Sequence, residues 1–332
     1  MDEPIRWGIL GAAGIAESAF LPALAEAGGG HAFVVGARDG ARAERWAKEH
    51  GVERGVEGYP AVIDDPAVEA VYVALPNGLH AEWTIAALEA GKAVFCEKPL
   101  CGTPAETERV LAAARTATGP LWEAFVFTFS EQMDRVRAVL DDGAIGQVRE
   151  IWSRFHFTLD DPHDIRVNSA LAAGSVQDVG CYPIRLARLL FDDEPDLART
   201  IADAVWTGDG VDLELWGALA FPGDRRLLLS CGFVGAYDTL TRVLGTDGEL
   251  RITNAFHPRE GDTYTVTHDG QAETQAAAPT GERSFTSALR HIHRALRGVE
   301  APRHLAIDEA MGNATAIASL LATARAASGR AR

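Results

Sequence analysis

The sequence predicts an α/β chain in two parts: an N-terminal doubly wound parallel sheet over residues 1–122, and a C-terminal α+β half over 123–332 built on an open, mostly antiparallel sheet. Three observations predict it. Up to Trp122, short apolar runs alternate with segments of helical period. Beyond Glu123, strand-like runs follow one another without helices between them. Finally, 332 residues that are 47% hydrophobic and 23% charged suffice for roughly two domains. Such a composition excludes a disordered tail protein and a small disulfide scaffold.

In the first half the strand candidates are residues 5–10, 32–37, 68–75, 93–97 and 121–125. The helix candidates, 15–27, 41–50, 80–90 and 104–116, are rich in Ala, Leu, Glu and Arg. Gly28 to Gly30, Gly51, Gly91 and Pro120 punctuate the joints. The second half opens with a helix at 131–142 and a long strand at 148–158, followed by a helix at 181–190. Strands are then expected at 213–221, 226–234, 240–244, 249–252 and 264–267, separated by Gly/Asp/Pro turns, and helices at 285–297 and 306–327 close the chain. An apolar sheet face without a helical cover is a large exposed patch, so a homodimer or homotetramer through that face is expected.

Charge narrows the partners. Against 47 acidic residues stand 31 basic ones, a net −16, so the long-range field repels nucleic acid and anionic bilayers and any phosphate must be held locally. No apolar run approaches the ~18 residues of a membrane span. Asp2 and Glu3 stand where a signal peptide carries positive charge, and the chain therefore reads as cytoplasmic, with neither nucleic acid nor membrane as partner. Cys96, Cys101, Cys181 and Cys231 lack zinc-type spacing and are too few for a disulfide framework, so they read as reduced thiols. His156 and His163 give no ligand spacing either, and no metal is expected. Only Lys48, Lys92 and Lys98 among the basic residues are lysines; a lysine here is not default surface charge.

The first strand candidate runs directly into Gly11-Ala12-Ala13-Gly14-Ile15-Ala16. A strand, a tight turn and a helix in that order let the backbone approach a pyrophosphate closely, and the amides of the first helical turn then bind the anion. Against G-x-G-x-x-G/A, Ala13 stands at the second glycine and Ala16 at the third. The second strand ends Gly36-Ala37-Arg38-Asp39. A carboxylate at that strand end bonds the ribose 2′-hydroxyl of NAD, whereas an arginine pairs with the 2′-phosphate of NADP. Arg38 favours NADP, with NAD still open because Asp39 follows; Asp39 has an alternative task as N-cap of the next helix.

Two further loops belong at the same crevice, since ligands of an open parallel sheet sit beyond the carboxyl ends of its strands. These are Leu75-Pro76-Asn77-Gly78-Leu79-His80 and Glu97-Lys98-Pro99. Together with Gly8-Ile9-Leu10-Gly11, His80-Ala81-Glu82-Trp83, Glu97-Lys98-Pro99-Leu100 and Asp178-Val179-Gly180-Cys181-Tyr182-Pro183, the chain resembles the Gfo/Idh/MocA oxidoreductases over nearly its whole length, closest in motifs to the sugar-ketoreductase, pyranose and dihydrodiol dehydrogenase branch. The resemblance implies an N-terminal Rossmann domain. It also implies that Lys98 sits beside the nicotinamide and the reacting carbon, that Tyr182 occupies the place held by histidine or tyrosine in relatives, and that Asp178 faces substrate or nicotinamide. Leu75, Pro76, Asn77, His80 and Glu97 are implied to line the cofactor groove beside Gly11, Ala12, Ala13, Gly14, Ile15 and Arg38. Arg166, in a matched D-I-R segment, is a candidate for cofactor, and Arg185 and Tyr237 are candidates for substrate.

A Lys/Tyr pair suits hydride transfer. Hydride reaching a carbonyl carbon leaves negative charge on oxygen, which a nearby cation or proton donor stabilises. An adjacent ammonium also favours the ionised form of a phenol whose ordinary pKa is about 10. Either Lys98 or Tyr182 delivers the proton. For Asp178, capping of the helix that follows is the alternative to a role in chemistry. The expected activity is therefore hydride transfer between NADP(H) and a carbohydrate hydroxyl or carbonyl, on a pyranose, keto-sugar or sugar nucleotide. Two rivals stand beside it: a non-catalytic dinucleotide sensor of the same fold, which need not retain both Lys98 and Tyr182, and a cyclic diol dehydrogenase. Relatives acting on pyranoses or dihydrodiols commonly carry an Arg-His-Pro-like run that is absent after Glu123-Ala124-Phe125 here, a departure in the expected pocket wall that leaves the substrate open and argues mildly against the diol.

Overall fold

The computed structural model describes residues 3–330. In chain order, β1 (Ile5–Leu10) leads through a π-helical turn (Ala16–Phe20) into α1 (Leu21–Ala27). There follow β2 (Gly30–Ala37), α2 (Gly40–His50), β3 (Arg54–Glu57), α3 (Pro60–Ile63), β4 (Ala70–Val73), α4 (Asn77–Glu89), β5 (Ala93–Cys96), α5 (Pro104–Thr116) and β6 (Leu121–Glu123). After these come α6 (Glu131–Asp141), β7 (Val148–Thr158), a π-helical turn (Val176–Gly180) continuing as α7 (Cys181–Phe191), and β8 (Asp196–Trp206). The remainder is β9 (Asp212–Phe221), β10 (Arg225–Gly232), β11 (Val234–Asp238), β12 (Thr241–Gly245), β13 (Gly248–Ile252), β14 (Thr263–His268), β15 (Gln271–Ala276), α8 (Ser284–Leu296) and α9 (Ala306–Arg330).

The chain folds into two compact units, Met1–Phe129 with Arg283–Met311, and Ser130–Glu282 with Gly312–Arg332. This differs from a single division near residue 122, because α8 returns to the first unit. Its Ala288, Leu289 and Ile292 join one buried cluster with Trp7, Phe20, Tyr72 and Phe95, and Phe285 lies edge-on to the rings of Tyr72 and Phe95 at 6.5 and 6.1 Å. The amphipathic period of α8 announces a buried face without naming what it is buried against.

The first unit is a six-stranded parallel sheet in the order β3-β2-β1-β4-β5-β6. Its central strands are buried throughout, as strands covered on both faces are. The order reverses beside β1, so the carboxyl ends of β1 and β4 meet at the switch point where ligands of such sheets bind.

The second unit carries a nine-stranded sheet in the order β15-β14-β13-β12-β7-β10-β9-β8, with β11 also paired to β7. It is antiparallel except where β10 runs parallel to β7. Along β7, Ile151, Ser153 and Phe155 are buried on the face that receives α7, and Trp152 and Arg154 point the other way and are exposed. On that second face Trp152 is 52% exposed and Trp216 49%.

Candidate active site

The turn after β1 has the geometry its glycines predict. Gly11 lies at φ +107°, and a Cβ there would stand 2.7 Å from the carbonyl oxygen of Ala74 at the end of β4. Only glycine fits both constraints. Where a Cβ of Gly14 would project, nothing lies within 4 Å. The helical stretch starts here, and its first N–H groups have no acceptor within their own helix; with the open space beside Gly14 they form a turn that fits the pyrophosphate of a dinucleotide. Ala16, at the third glycine position, is fully buried in the core under the sheet, so a methyl group satisfies the close packing that glycine gives elsewhere.

At the end of β2, Asp39 caps α2: its carboxylate accepts from the Arg42 amide at 2.7 Å. That leaves arginine chemistry at the strand end. Arg42 Nη2 donates to the carbonyl oxygen of Ala12 in the glycine turn at 3.1 Å. Burial pushes the Tyr59 hydroxyl above its ordinary pKa, with the charges of Arg38 and Arg42 pulling it down, so all three groups share one neighbourhood. Arg42 was not among the candidates; its place in the first turn of α2, four residues after Arg38, is the signal that could have found it.

The loops after β4 and β5 are tied together by His80. Its fully buried ring faces the carbonyl oxygen of Leu75 with Nε2 at 2.7 Å and that of Pro99 with Nδ1 at 2.9 Å. A neutral imidazole donates to one of these, and only the charged form to both. Burial pushes the ring's pKa down, and the charge of Lys98 lowers it further. His80 therefore clips the two loops together with its ring buried beneath them. The Tyr72 hydroxyl donates to Glu97 Oε1 at 2.5 Å, and the Leu100 amide donates to Glu123 Oε1 at 2.7 Å. Lys98 stands between these two anchored neighbours. Glu123 and Tyr72 were also missed as supports; each is one polar residue in an apolar strand, a signal visible in the sequence.

In the second unit, helix geometry begins at Ser175, six residues before the predicted start at Cys181. Asp178 lies in the π-helical turn and is not the cap of α7, whose N-cap position is Gly180. Its Oδ2 accepts from Arg166 Nε at 2.9 Å, and Arg166 also pairs with Asp164 at 3.3 Å. Arg166, a cofactor candidate, is thus partnered with Asp178. Tyr182 is 5% exposed and stands among the rings of Phe155, Phe256 and His257, at 5.3, 5.1 and 5.4 Å. Tyr237 also meets Phe155, edge-on at 5.9 Å, with the Arg259 guanidinium over its own ring at 5.6 Å. Burial pushes the Tyr237 hydroxyl up. Arg185, nearly one turn beyond Tyr182, is buried. Phe155 on β7 is far in sequence from the adjacent Phe256 and His257, and no local signal marks their meeting. Among the described residues no group of three His, Cys, Asp or Glu side chains is arranged to hold a metal ion.

The sequence matches the models of two family domains, an oxidoreductase family with NAD-binding Rossmann fold over residues 5–125 and a GFO/IDH/MocA C-terminal domain over residues 133–251. It is 37% identical over 303 residues to D-xylose 1-dehydrogenase (NADP(+)) 2 of Haloferax volcanii, which covers 90% of this chain and 91% of that protein. It is 32% identical over 311 residues to a dTDP-3,4-didehydro-2,6-dideoxy-alpha-D-glucose 3-reductase of Actinomadura kijaniata, covering 92% and 91% respectively. The crystal structure of a 3-ketoreductase from Actinomadura kijaniata in complex with NADP and TDP-benzene is similar at a TM-score of 0.88 and 30% identity, over 97% of this chain and 98% of that one. Fold, loop geometry and these matches agree: the chain belongs to the Gfo/Idh/MocA family of oxidoreductases.

Proposed function

We propose that the protein transfers hydride between NADP(H) and the carbon of a carbohydrate hydroxyl or carbonyl, on a pyranose or keto-sugar, free or nucleotide-linked. The observation that carries this reading is Lys98, a rare lysine held at the end of β5 between the anchored Glu97 and Leu100, in a chain whose relatives are named as sugar dehydrogenases and reductases. Bound NADP(H) supplies or accepts the hydride.

The chain's own residues do the rest. The turn from Gly11 to Ile15 holds the pyrophosphate through the amides beyond Gly11, whose own N–H donates to the Gly36 carbonyl oxygen at 2.9 Å, and Arg38 with Arg42 pair the 2′-phosphate, the capping task of Asp39 leaving NADP preferred over NAD. Leu75, Pro76 and Asn77 line the groove. The Lys98 ammonium and the Tyr182 hydroxyl stabilise charge on the sugar oxygen and exchange its proton, and Asp178, oriented by Arg166, accepts from a sugar hydroxyl. Arg185 and Tyr237 complete the substrate wall of the C-terminal half.

The same reading makes the exposed sheet face of the second unit, with Trp152, Trp216, Ile201 and Val205, the surface through which two or four copies associate. It also places the protein in the cytoplasm, where its four free cysteines stay reduced.

The test is a screen of aldoses, keto-sugars and cyclic diols with NADP and NAD in both directions. Turnover of a sugar with NADP is expected, and Lys98→Ala and Tyr182→Phe are expected to lower kcat by roughly 10²–10⁴-fold while NADP+ still binds. Wild-type rates in both variants refute the assigned roles. Turnover of cyclic diols alone refutes the sugar reading.

A further inference from the structure

The helix that carries Asp178 and Tyr182 is fixed from outside by a carboxylate that belongs to neither motif. Asp212, the first residue of β9, is 2% exposed. Its Oδ2 accepts from the Ser175 hydroxyl at 2.7 Å and from the Val176 amide at 2.7 Å. The Val176 N–H is one of the first-turn donors that no helix can satisfy internally, so Asp212 performs the work of an N-cap residue from a distant strand. A buried carboxylate at a helix N-terminus also complements the helix dipole. Burial pushes this carboxyl's pKa up, and its hydrogen bonds to the Val176 amide, the Ser175 hydroxyl and the amides of Asp212 and Ser175 oppose the shift.

The neighbouring chain is shaped around this group. Gly174 lies at φ +131°, and a Cβ on it would stand 2.1 Å from Asp212 Oδ1. No side chain fits there while the carboxylate keeps its place. Gly174 in turn accepts from the Asp178 amide through its carbonyl oxygen at 2.9 Å, which continues the helix from the cap toward the motif. Further along, a Cβ on Gly180 would stand 2.8 Å from Cys231 Sγ on β10, so the helix rests directly on the sheet at that point. The cap fixes the helix along its axis, and the Gly180–Cys231 approach fixes its rotation.

We propose that Asp212 is a positioning residue for the reaction: capped by its carboxylate, the stretch from Ser175 to Tyr182 is locked in the one arrangement that presents Asp178 and Tyr182 to the substrate. This rests on the reading above that those two residues take part in the chemistry. Asp212 touches no reacting atom; it acts through the helix.

The experiment compares wild type, Asp212→Ala, Asp212→Asn and Ser175→Ala, with D-xylose and NADP+ as the probe pair and NADP+ binding measured separately. Misplacement of a catalytic group by about 1 Å costs on the order of 100-fold, so kcat of Asp212→Ala is expected to fall by about that factor while its NADP+ affinity stays within about twofold. Asp212→Asn keeps an acceptor oxygen at the same place and is expected to recover most of the loss, a rescue that a purely structural role does not require. Ser175→Ala removes one of the two bonds and is expected to lower kcat by about fivefold, and it serves if Asp212→Ala fails to fold. A folded Asp212→Ala enzyme with kcat within about twofold of wild type overturns the proposal. Hydrogen exchange of the 175–185 segment is the readout independent of substrate: it is expected to accelerate in Asp212→Ala with β1 unchanged. If wild type turns over no sugar, the functional reading falls, and unaltered protection of that segment overturns the positioning role as well.

Discussion

Replacing His293 by Phe tests how the returning helix α8 is fastened to the dinucleotide-binding sheet. Trp7, in β1 four residues before the glycine turn, is 1% exposed, and its Nε1–H donates to His293 Nε2 at 3.0 Å. An indole nitrogen only donates, so Nε2 must accept; the ring hydrogen therefore resides on Nδ1, which donates to the Gly28 carbonyl oxygen at 2.7 Å. The ring is neutral, and burial pushes its pKa below the ordinary value. A phenyl ring in place of the imidazole would roughly keep the volume but strand the indole N–H in the core, a cost of about 1–3 kcal/mol. In a unit of this size, about 2–4 °C of Tm follows each kcal/mol, so a fall of several degrees is expected.

The pH dependence carries the sharper test. Because the folded-state pKa is depressed, the unfolded chain binds the proton first as pH falls. The stabilisation is therefore complete above the unfolded histidine value of about 6.5 and is lost progressively below it, by at most about 1.4 kcal/mol per pH unit. Buried His80 and His291 are depressed as well and contribute to the wild-type slope, but the difference between wild type and His293→Phe isolates this ring. Urea unfolding at pH 8 and pH 5 should show a gap that narrows at the lower pH. A gap of equal size at both values refutes the neutral, bridging imidazole.

Three other outcomes follow from the geometry. Gly11→Ala places a methyl group 2.7 Å from the Ala74 carbonyl oxygen at a strained φ, so dinucleotide binding measured by titration should fall by at least about tenfold, with a loss of about 1–3 kcal/mol in stability. Removing charge-assisted bonds to a phosphate, each about 1.5–3 kcal/mol, the double variant Arg38→Ala with Arg42→Ala should lose about 100-fold or more in NADP+ affinity while NAD+ affinity changes little; equal losses for both cofactors count against the assignment. Trp216→Arg on the exposed sheet face should shift the mass in solution toward the monomer by light scattering, and an unchanged mass rules that face out as the interface.

The sequence by itself determined the alternation of strands and helices in the first half, the parallel first sheet and the glycine turn, because each is a local matter of period and backbone freedom. Four strands escaped it. Three of them, β3, β8 and β15, are edge strands of the two sheets, whose fourth edge, β6, was apolar enough to be seen: Gln-Ala-Glu-Thr-Gln-Ala in β15 reads as loop, since an edge facing water needs no apolar run and tolerates charge. The fourth, β11, is a short pairing to β7 off the main path. Asp178, Tyr182 and Lys98, the groups proposed for the chemistry, were picked out by their resemblance to family motifs, and Arg42 was within reach in the first turn of the helix that follows Arg38. Asp212 was not, nor were the rings of Phe155, Phe256 and His257, nor the return of α8 to the first sheet. A buried hydrogen bond or ring contact between residues tens of positions apart leaves no periodic trace in the chain, and which surface an amphipathic helix covers is settled only when the competing surfaces are folded and packed together.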